Sequence, residues 1–191
     1  MLILGAVLAF AQAAAAAPPS RPPAPTPQSE SPAGLCVVVV VSSPELPNRH
    51  VSFSATKILD LQLGALLRRR MNGEHVLNLK VYTPQGHLYQ QLDVPFRGGV
   101  VVPAAGALAS PSSEAGPRMR RVEGYPQPLP EQELVAARAP SGQRGYRVSA
   151  RLPVAGTSIM TSSLYGKWKV VPHLDGNLQA CGAATVFSIT Q

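Results

Sequence analysis

The sequence predicts an all-β fold, an antiparallel β-sandwich of about seven strands. Short segments in which apolar and polar residues alternate recur along the chain, as they do in strands with one buried face. Turn signals separate these segments, and the repeated strand–helix–strand pattern of a parallel sheet is missing. Charged residues make up only 14% of the chain, and there are 20 prolines. This composition disfavours a helical bundle, whose wet faces carry many Glu and Lys residues.

Residues 1–17 are predicted to be a secretory signal peptide. An uninterrupted apolar run from Leu2 to Phe10 leads into the small residues of the segment AQAAAAA. An apolar core followed by small side chains at the −1 and −3 positions is the pattern of a cleavable signal. The apolar run is shorter than the roughly 20 residues that span a membrane. We therefore expect an exported protein, periplasmic or extracellular, that is not an integral membrane protein.

Residues 18–33 are predicted to form a disordered, proline-rich linker. The segment reads PPSRPPAPTPQSESPA. Proline fixes φ and lacks the amide donor that helices and sheet interiors need. Such a segment is extended and solvated and acts as a spacer. The folded domain is expected to span residues 34–191.

The clearest hairpin of the domain is predicted at residues 75–94. Leu77, Leu79 and Val81 alternate with polar residues, so we assign them to the core. Pro84 and Gly86 occupy favoured turn positions, and a second alternating strand follows them. Further strands are predicted at residues 35–42, 57–63 and 146–154.

Two tyrosines of this hairpin are candidates for a contact surface. By strand parity, Tyr82 and Tyr89 fall on the outer face, opposite the core residues. Exposed tyrosines on a sheet are frequent in protein interfaces, although ordinary cross-strand pairing is the plainer interpretation.

Periodicity disappears between residues 103 and 142. Pro, Ala, Gly, Ser and Arg dominate there, and large apolar residues are few. A loop of this length inside a domain is either disordered or functional, and its composition favours disorder. We therefore predict a disordered, low-complexity insertion that folding does not require.

The carboxyl-terminal segment predicts a closing hairpin. Trp168 and Val170 share one strand face, Asp175-Gly176 is a strong turn signal, and Phe187 and Ile189 alternate on the last strand. We assign Trp168, Val170, Phe187 and Ile189 to the core. The pattern G-x-W-x-V, D-G, F-x-I resembles the closing hairpin of bacterial secreted immunoglobulin-like domains. This resemblance implies an immunoglobulin-like sandwich with an adhesion, assembly or accessory role, and it supplies no catalytic residues.

The resemblance also implies a disulfide between Cys36 and Cys181. In many immunoglobulin-like sandwiches part of the first strand pairs parallel with the last, which brings the starts of both strands together. Cys36 begins the first predicted strand and Cys181 precedes the last. Export to an oxidising compartment favours such a bond. Two free thiols, or a reactive or intermolecular cysteine, remain as alternatives.

The net charge of +7 comes mainly from arginine. Clusters lie at Arg68–Arg70 and at Arg118, Arg120 and Arg121. Solvated loop charge is the plainer interpretation, and an anionic partner such as lipid headgroups or polysaccharide is the sharper one. Nucleic acid is not expected, because no aromatic residues interleave with these arginines in the sequence.

No motif of known chemistry occurs in the sequence. A G-x-S-x-G nucleophile elbow is missing, and the few acidic residues fall in turns or on wet faces. We predict no catalytic residues, no metal site and no cofactor. One alternative keeps a metal: the four histidines could converge with Met71 or Met160 on a copper ion. They are His50, His75, His87 and His173.

Together these observations predict a non-enzymatic envelope module whose partner is an unknown protein or an envelope polymer. Its oligomeric state is left open. A periplasmic metal-binding protein is the first alternative, and a hydrolase with an unrecognised site is the second.

Overall fold

The computed structural model describes residues 34–46, 51–102, 117–139 and 141–191, all within one compact unit. Within these residues the chain forms eleven strands, a 3-10 turn (Ala55–Lys57) and a single helical turn, α1 (Ser158–Thr161). The strands are β1 (Cys36–Ser42), β2 (Ser52–Ser54), β3 (Asp60–Leu67), β4 (Gly73–Tyr82), β5 (Leu88–Val102), β6 (Met119–Arg120), β7 (Leu129–Pro130), β8 (Gln132–Arg138), β9 (Arg144–Pro153), β10 (Gly166–Leu174) and β11 (Thr185–Thr190).

The all-β prediction is confirmed, but the two-sheet immunoglobulin-like sandwich of seven strands is wrong. Nine strands form one sheet in the order β1-β3-β9-β8-β5-β4-β10-β11-β2, and β6 and β7 form a separate short ribbon. The sheet curls, so that β1 lies beside β10 and β11 from its opposite end. The Thr185 hydroxyl donates to the Val39 carbonyl oxygen at 2.9 Å across this approach. One curled sheet therefore encloses the core that two sheets were expected to enclose.

Strand alternation explains the core. The seven residues that the sequence assigns to the core are each at most 2% exposed: Leu77, Leu79, Val81, Trp168, Val170, Phe187 and Ile189. The Trp168 indole N–H donates to the Leu164 carbonyl oxygen at 3.0 Å, so its polar edge is satisfied. Its ring meets Tyr89 edge-on at 5.1 Å and stacks on Phe187 at 6.5 Å.

The prediction of a disordered insertion at 103–142 is wrong for residues 117–139. Strand β8 lies in the middle of the sheet, antiparallel to β9 and parallel to β5. The sequence of β8 shows no clear apolar–polar alternation, because Leu134 is the one large side chain of the strand that is fully buried. Residues 103–116, like the predicted signal peptide and linker at 1–33, lie outside the described residues.

A bulge in β5 interrupts its pairing with β8. The pairing of β5 with β8 shifts in register between Arg97 and Val101, a β-bulge next to Gly98 and Gly99. A Cβ at Gly98 would lie 1.9 Å from the Met71 carbonyl oxygen, so only glycine fits. Strand β5 pairs with β8 on both sides of this bulge, first at Phe96 and Arg97 and then at Val101 and Val102, and no local pattern encodes that pairing.

The disulfide prediction is confirmed. The Cys36 and Cys181 sulfur atoms are bonded, and both residues are buried. The expected reason for their approach was different, because β1 pairs with β3, whereas it is β2 that pairs parallel with β11. The approach comes instead from the Cys181 carbonyl oxygen, which accepts from the Gly34 and Cys36 amides at 3.0 and 2.8 Å.

The predicted D-G turn is present, with Asp175 at φ 53° and Gly176 at φ 69°. The Asn177 amide donates to the Leu174 carbonyl oxygen at 3.0 Å and closes the turn. The turn does not join β10 directly to β11, because residues 175–184 intervene and carry Cys181.

Candidate binding groove

Five arginines line a groove of about 780 Å³ at one end of the sheet. They come from three segments that are distant in sequence: Arg68, Arg69 and Arg70 after β3, Arg138 at the end of β8, and Arg144 at the start of β9. Each is exposed. Among the described residues that line the groove, the others are Ala136, Ala137, Gly145 and Tyr146, and none is acidic. We call this site the arginine groove.

Sheet topology brings these arginines together. Strands β3, β9 and β8 are neighbours, and both pairings are antiparallel. The carboxyl ends of β3 and β8 therefore lie beside the amino end of β9. Leu67 pairs with Tyr146, and the Arg68 amide donates to the Leu35 carbonyl oxygen at 2.8 Å, which fixes the start of the arginine run.

Arg138 and Arg144 are directly opposite each other across β8 and β9. Directly opposed residues of an antiparallel pair project from the same face, with Cβ atoms about 4.5–5.5 Å apart. The turn that joins them closes with the Ala139 amide donating to the Gln143 carbonyl oxygen at 2.8 Å. Gly142, at φ 84°, provides the left-handed residue of this turn. The hairpin thus places the two arginines next to each other on the same face of the sheet.

Small residues line the groove between the arginines. A Cβ at Gly145 would lie 2.5 Å from the Leu67 carbonyl oxygen, so glycine allows β9 and β3 to approach closely at this point. Gly145 pairs with Ala137, and Ala136 pairs with Tyr146. The floor between the arginines is therefore short side chains and one aromatic ring.

Two arginines outside the groove have acidic partners that contrast with it. Arg97 contacts Glu74 at 2.8 Å and Glu131 at 3.3 Å, and Arg120 approaches Glu74 at 3.8 Å. The Glu131 side chain is only 6% exposed. The ion pairs found among the described residues do not include Arg68, Arg70, Arg138 or Arg144.

A second cleft, of about 520 Å³, lies where the β6–β7 segment covers the outer face of β4 and β5. Two of its acidic residues, Asp93 and Asp175, are hydrogen-bonded within the fold. Asp93 accepts from the Asn78 amide at 2.7 Å and from Gln91 at 2.9 and 3.0 Å. At the rim of this region, burial and then the nearby charge of Asp93 raise the pKa of Tyr125 above its usual value. Asp93 and Asp175 are therefore structural members of a polar network.

The histidines that the sequence offered as metal ligands are not gathered in the described part of the chain, which holds no group of three or more His, Cys, Asp or Glu residues placed to share an ion. His75 lies with Nδ1 2.8 Å from an Asp175 oxygen and Nε2 3.0 Å from the Asn72 carbonyl oxygen. His173 is buried with Nδ1 3.0 Å from the Asn177 carbonyl oxygen. His87 is exposed, and His50 lies outside the described residues.

The two methionines of the copper alternative are core-packing side chains. Met71 and Met160 are partly buried and pack against the hydrophobic core. A thioether committed to core contacts serves as a flexible filler.

The two tyrosines proposed as a contact surface are separated by the fold. Tyr82 lies beside the exposed Lys169, whose ammonium is 5.0 Å from the centre of the ring. The outward placement of Tyr89 is wrong: its ring contacts Trp168, and the Ser158 hydroxyl donates to its oxygen at 3.0 Å. The reason is a bulge, since Val81 pairs with Gln90 and Tyr82 with Leu88, which leaves Tyr89 as the extra residue.

Sequence reasoning identified Arg68–Arg70 but missed Arg138, Arg144 and Tyr146. A signal was present: two arginines flank a short segment that contains Pro, Ser and Gly, which is the composition of a hairpin turn. A hairpin there would place the two arginines opposite each other. The fold also brings the Tyr146 ring to the same groove as Arg68–Arg70, a run that contains no aromatic residue in the sequence.

Comparison of the chain with protein-family models, with curated proteins and with solved structures gave no match. The resemblance to immunoglobulin-like domains therefore rests on sequence motifs alone, those of the closing segment and of the hairpin at residues 80–91. In the part of the chain that the structure describes, no helix has the length and apolar character needed to cross a membrane.

Proposed function

We propose that this chain is a non-enzymatic, exported interaction module that binds an anionic envelope polymer through the arginine groove. The observation that carries the proposal is the opposition of Arg138 and Arg144 in a groove whose described lining has no acidic residue. Arg68 and Arg70 add two further positive charges to the same concave surface.

This arrangement of like charges does not stabilise the fold. Like charges directly opposite each other in a sheet are destabilising. A concave surface lined by one sign of charge focuses its electric field and raises the local concentration of oppositely charged ligands. Guanidinium forks also match the oxygens of carboxylate, sulfate and phosphate groups. Binding of an anion accounts for the positions of these charges, whereas stability does not.

The proposed location rests on two observations of different kinds. The buried Cys36–Cys181 disulfide is compatible with an oxidising compartment. The sequence of residues 1–17 has the pattern of a secretory signal. An exported chain meets the acidic polysaccharides of an envelope, which supports a polymer as the partner.

The test is a binding titration of the full chain with fluorescent dextran sulfate, with neutral dextran as the reference polymer. We expect binding of the sulfated polymer that weakens as salt is added, because exposed charges are screened. The variant Arg68→Gln/Arg70→Gln should lose about 10-fold or more in affinity, since charged hydrogen bonds are worth about 1.5–3 kcal/mol each.

A matched control has the same change in charge outside the groove. Arg118 and Arg121 are exposed and do not line it. The variant Arg118→Gln/Arg121→Gln should keep nearly the whole affinity. An equal loss in both variants would reduce the effect to net charge and contradict the proposal. Tighter binding of a DNA oligonucleotide than of the polysaccharide would contradict an envelope polymer as the partner.

A further inference from the structure

We infer that the Arg138–Arg144 pair binds a phosphate monoester, carried on a sugar-sized body that occupies the rest of the arginine groove beside Tyr146. The inference rests on the proposed function, because it names the ligand chemistry of the same groove. It concerns the phosphate itself, whether a phosphorylated polymer or a lipid headgroup supplies it.

The number of acceptor oxygens favours phosphate over carboxylate. Arg138 and Arg144 are opposed across one hairpin, so both guanidinium groups can reach a single small anion. One guanidinium fork already engages both oxygens of a carboxylate. A phosphate monoester offers three strong acceptor oxygens and a charge of about −1.5 to −2 near neutral pH. Compared with a carboxylate, a phosphate monoester therefore offers the two guanidinium groups an additional acceptor oxygen and a larger negative charge.

The size and lining of the groove favour a body attached to the phosphate. A volume of about 780 Å³ falls within the range of about 300–1,000 Å³ that is typical of small-molecule sites. Between the arginines the lining is Ala136, Ala137, Gly145 and Tyr146. These residues offer short apolar side chains and one aromatic ring with a hydroxyl, which suits a ring with C–H faces and hydroxyl groups. The remaining guanidinium groups of Arg68 and Arg70 lie at the same groove and add attraction for the anion.

The experiment is isothermal titration calorimetry of the full chain with three sugars that differ in one group. Glucose 6-phosphate carries the monoester, glucuronate carries a carboxylate on a similar ring, and glucose carries neither. We expect glucose 6-phosphate to bind at least about 10-fold more tightly than glucuronate, the factor that one additional charged hydrogen bond provides. Glucose alone should give no measurable heat of binding.

Two single variants test the pair. Arg138→Gln and Arg144→Gln should each weaken glucose 6-phosphate binding by about 10-fold. Each should also raise the melting temperature of the free protein by about 1–3 °C, because a like-charge repulsion is removed. A residue that merely supports the fold would change the melting temperature in the other direction. Arg118→Gln, an exposed arginine outside the groove, should change neither quantity.

The outcomes separate this inference from the proposed function. Equal affinity for glucuronate and glucose 6-phosphate would overturn the phosphate assignment and leave an anion-binding groove. If the full chain also failed to bind dextran sulfate, both the phosphate assignment and the proposed function would be overturned. Vesicles that contain phosphatidic acid can be tested for displacement of bound glucose 6-phosphate, with phosphatidylcholine vesicles as the control. Displacement by the first and not by the second would support the phosphate site and identify a lipid headgroup as its source. Unchanged affinity in both single variants would overturn the assignment to Arg138 and Arg144.

Discussion

Two groups of arginines in the same compact unit are in opposite electrostatic situations. In the paired cluster, Arg97 lies between Glu74 and Glu131, and Arg120 approaches Glu74 from the ribbon. In the arginine groove, Arg138 faces Arg144, and no acidic residue is among the described lining residues. The paired cluster neutralises a nearly buried carboxylate, whereas Arg138 and Arg144 in the groove are exposed. Arginine content alone therefore does not indicate a site, because the position of the acids in the fold decides what each arginine does.

The comparison matters because the two groups should respond oppositely to the same kind of substitution. Removing a partner of a buried carboxylate leaves an unsatisfied charge, which is costly. Removing one of two opposed like charges relieves a repulsion. The sign of the stability change thus separates an arginine that serves the fold from an arginine that serves a ligand.

Trp168→Ala sets the scale, with the largest expected effect. The side chain is fully buried between Tyr89 and Phe187, and its N–H is satisfied. Truncation should lower the free energy of unfolding by about 3–5 kcal/mol. Urea unfolding followed by circular dichroism measures this loss. A loss below about 1 kcal/mol would contradict the core assignment and indicate an exposed tryptophan.

Arg97→Ala breaks the paired cluster. The Glu131 carboxylate, at 6% exposure, would lose its guanidinium partner. We expect the free energy of unfolding to fall by about 1–3 kcal/mol, the penalty for an unsatisfied buried group. The control is Arg121→Ala, an exposed arginine that should change stability by less than about 0.5 kcal/mol. Equal effects of the two substitutions in urea unfolding would contradict the claim that the ion pairs of Arg97 stabilise the fold.

Arg138→Glu tests the repulsion between the opposed arginines of the groove, with the smallest expected change in stability. A carboxylate opposite Arg144 replaces a repulsion by an attraction. The free energy of unfolding should rise by about 0.2–1 kcal/mol, while anion binding is lost. Thermal unfolding and a dextran sulfate titration of the same sample measure both. A variant that is less stable and still binds would show that Arg138 is structural.

The sequence predicted well what depends on local pattern. Leu77, Leu79, Val81 and Trp168 alternate with polar neighbours, and this period places them in the core. The all-β class follows from the same periodicity, and the disulfide was correct although the strand pairing expected to produce it was not. Period-two alternation is a property of a few adjacent residues, so it can be read without knowing the sheet.

What depends on long-range pairing was not predictable. Strand β8 reads as part of a low-complexity segment, because its place is set by a parallel pairing with β5, which is distant in sequence and interrupted by a bulge at Gly98 and Gly99. A bulge also turned Tyr89 into the core against its parity in sequence. The arginine groove has the same origin, since β3, β8 and β9 meet only in the completed sheet. Arg138 and Arg144 form a pair within the local β8–β9 hairpin, but only the completed sheet brings Arg68–Arg70 beside them.

The central claim is that the opposed arginines are held for an anion at some cost to the fold. Urea unfolding of the wild type and of Arg138→Gln/Arg144→Gln, each with and without glucose 6-phosphate at matched ionic strength, tests it most directly. Without the sugar phosphate the variant should be the more stable protein. With it the wild type should gain stability by ligand binding and the variant should not. A variant that is less stable than the wild type in the absence of ligand, with no added stability for either protein in its presence, would contradict the account.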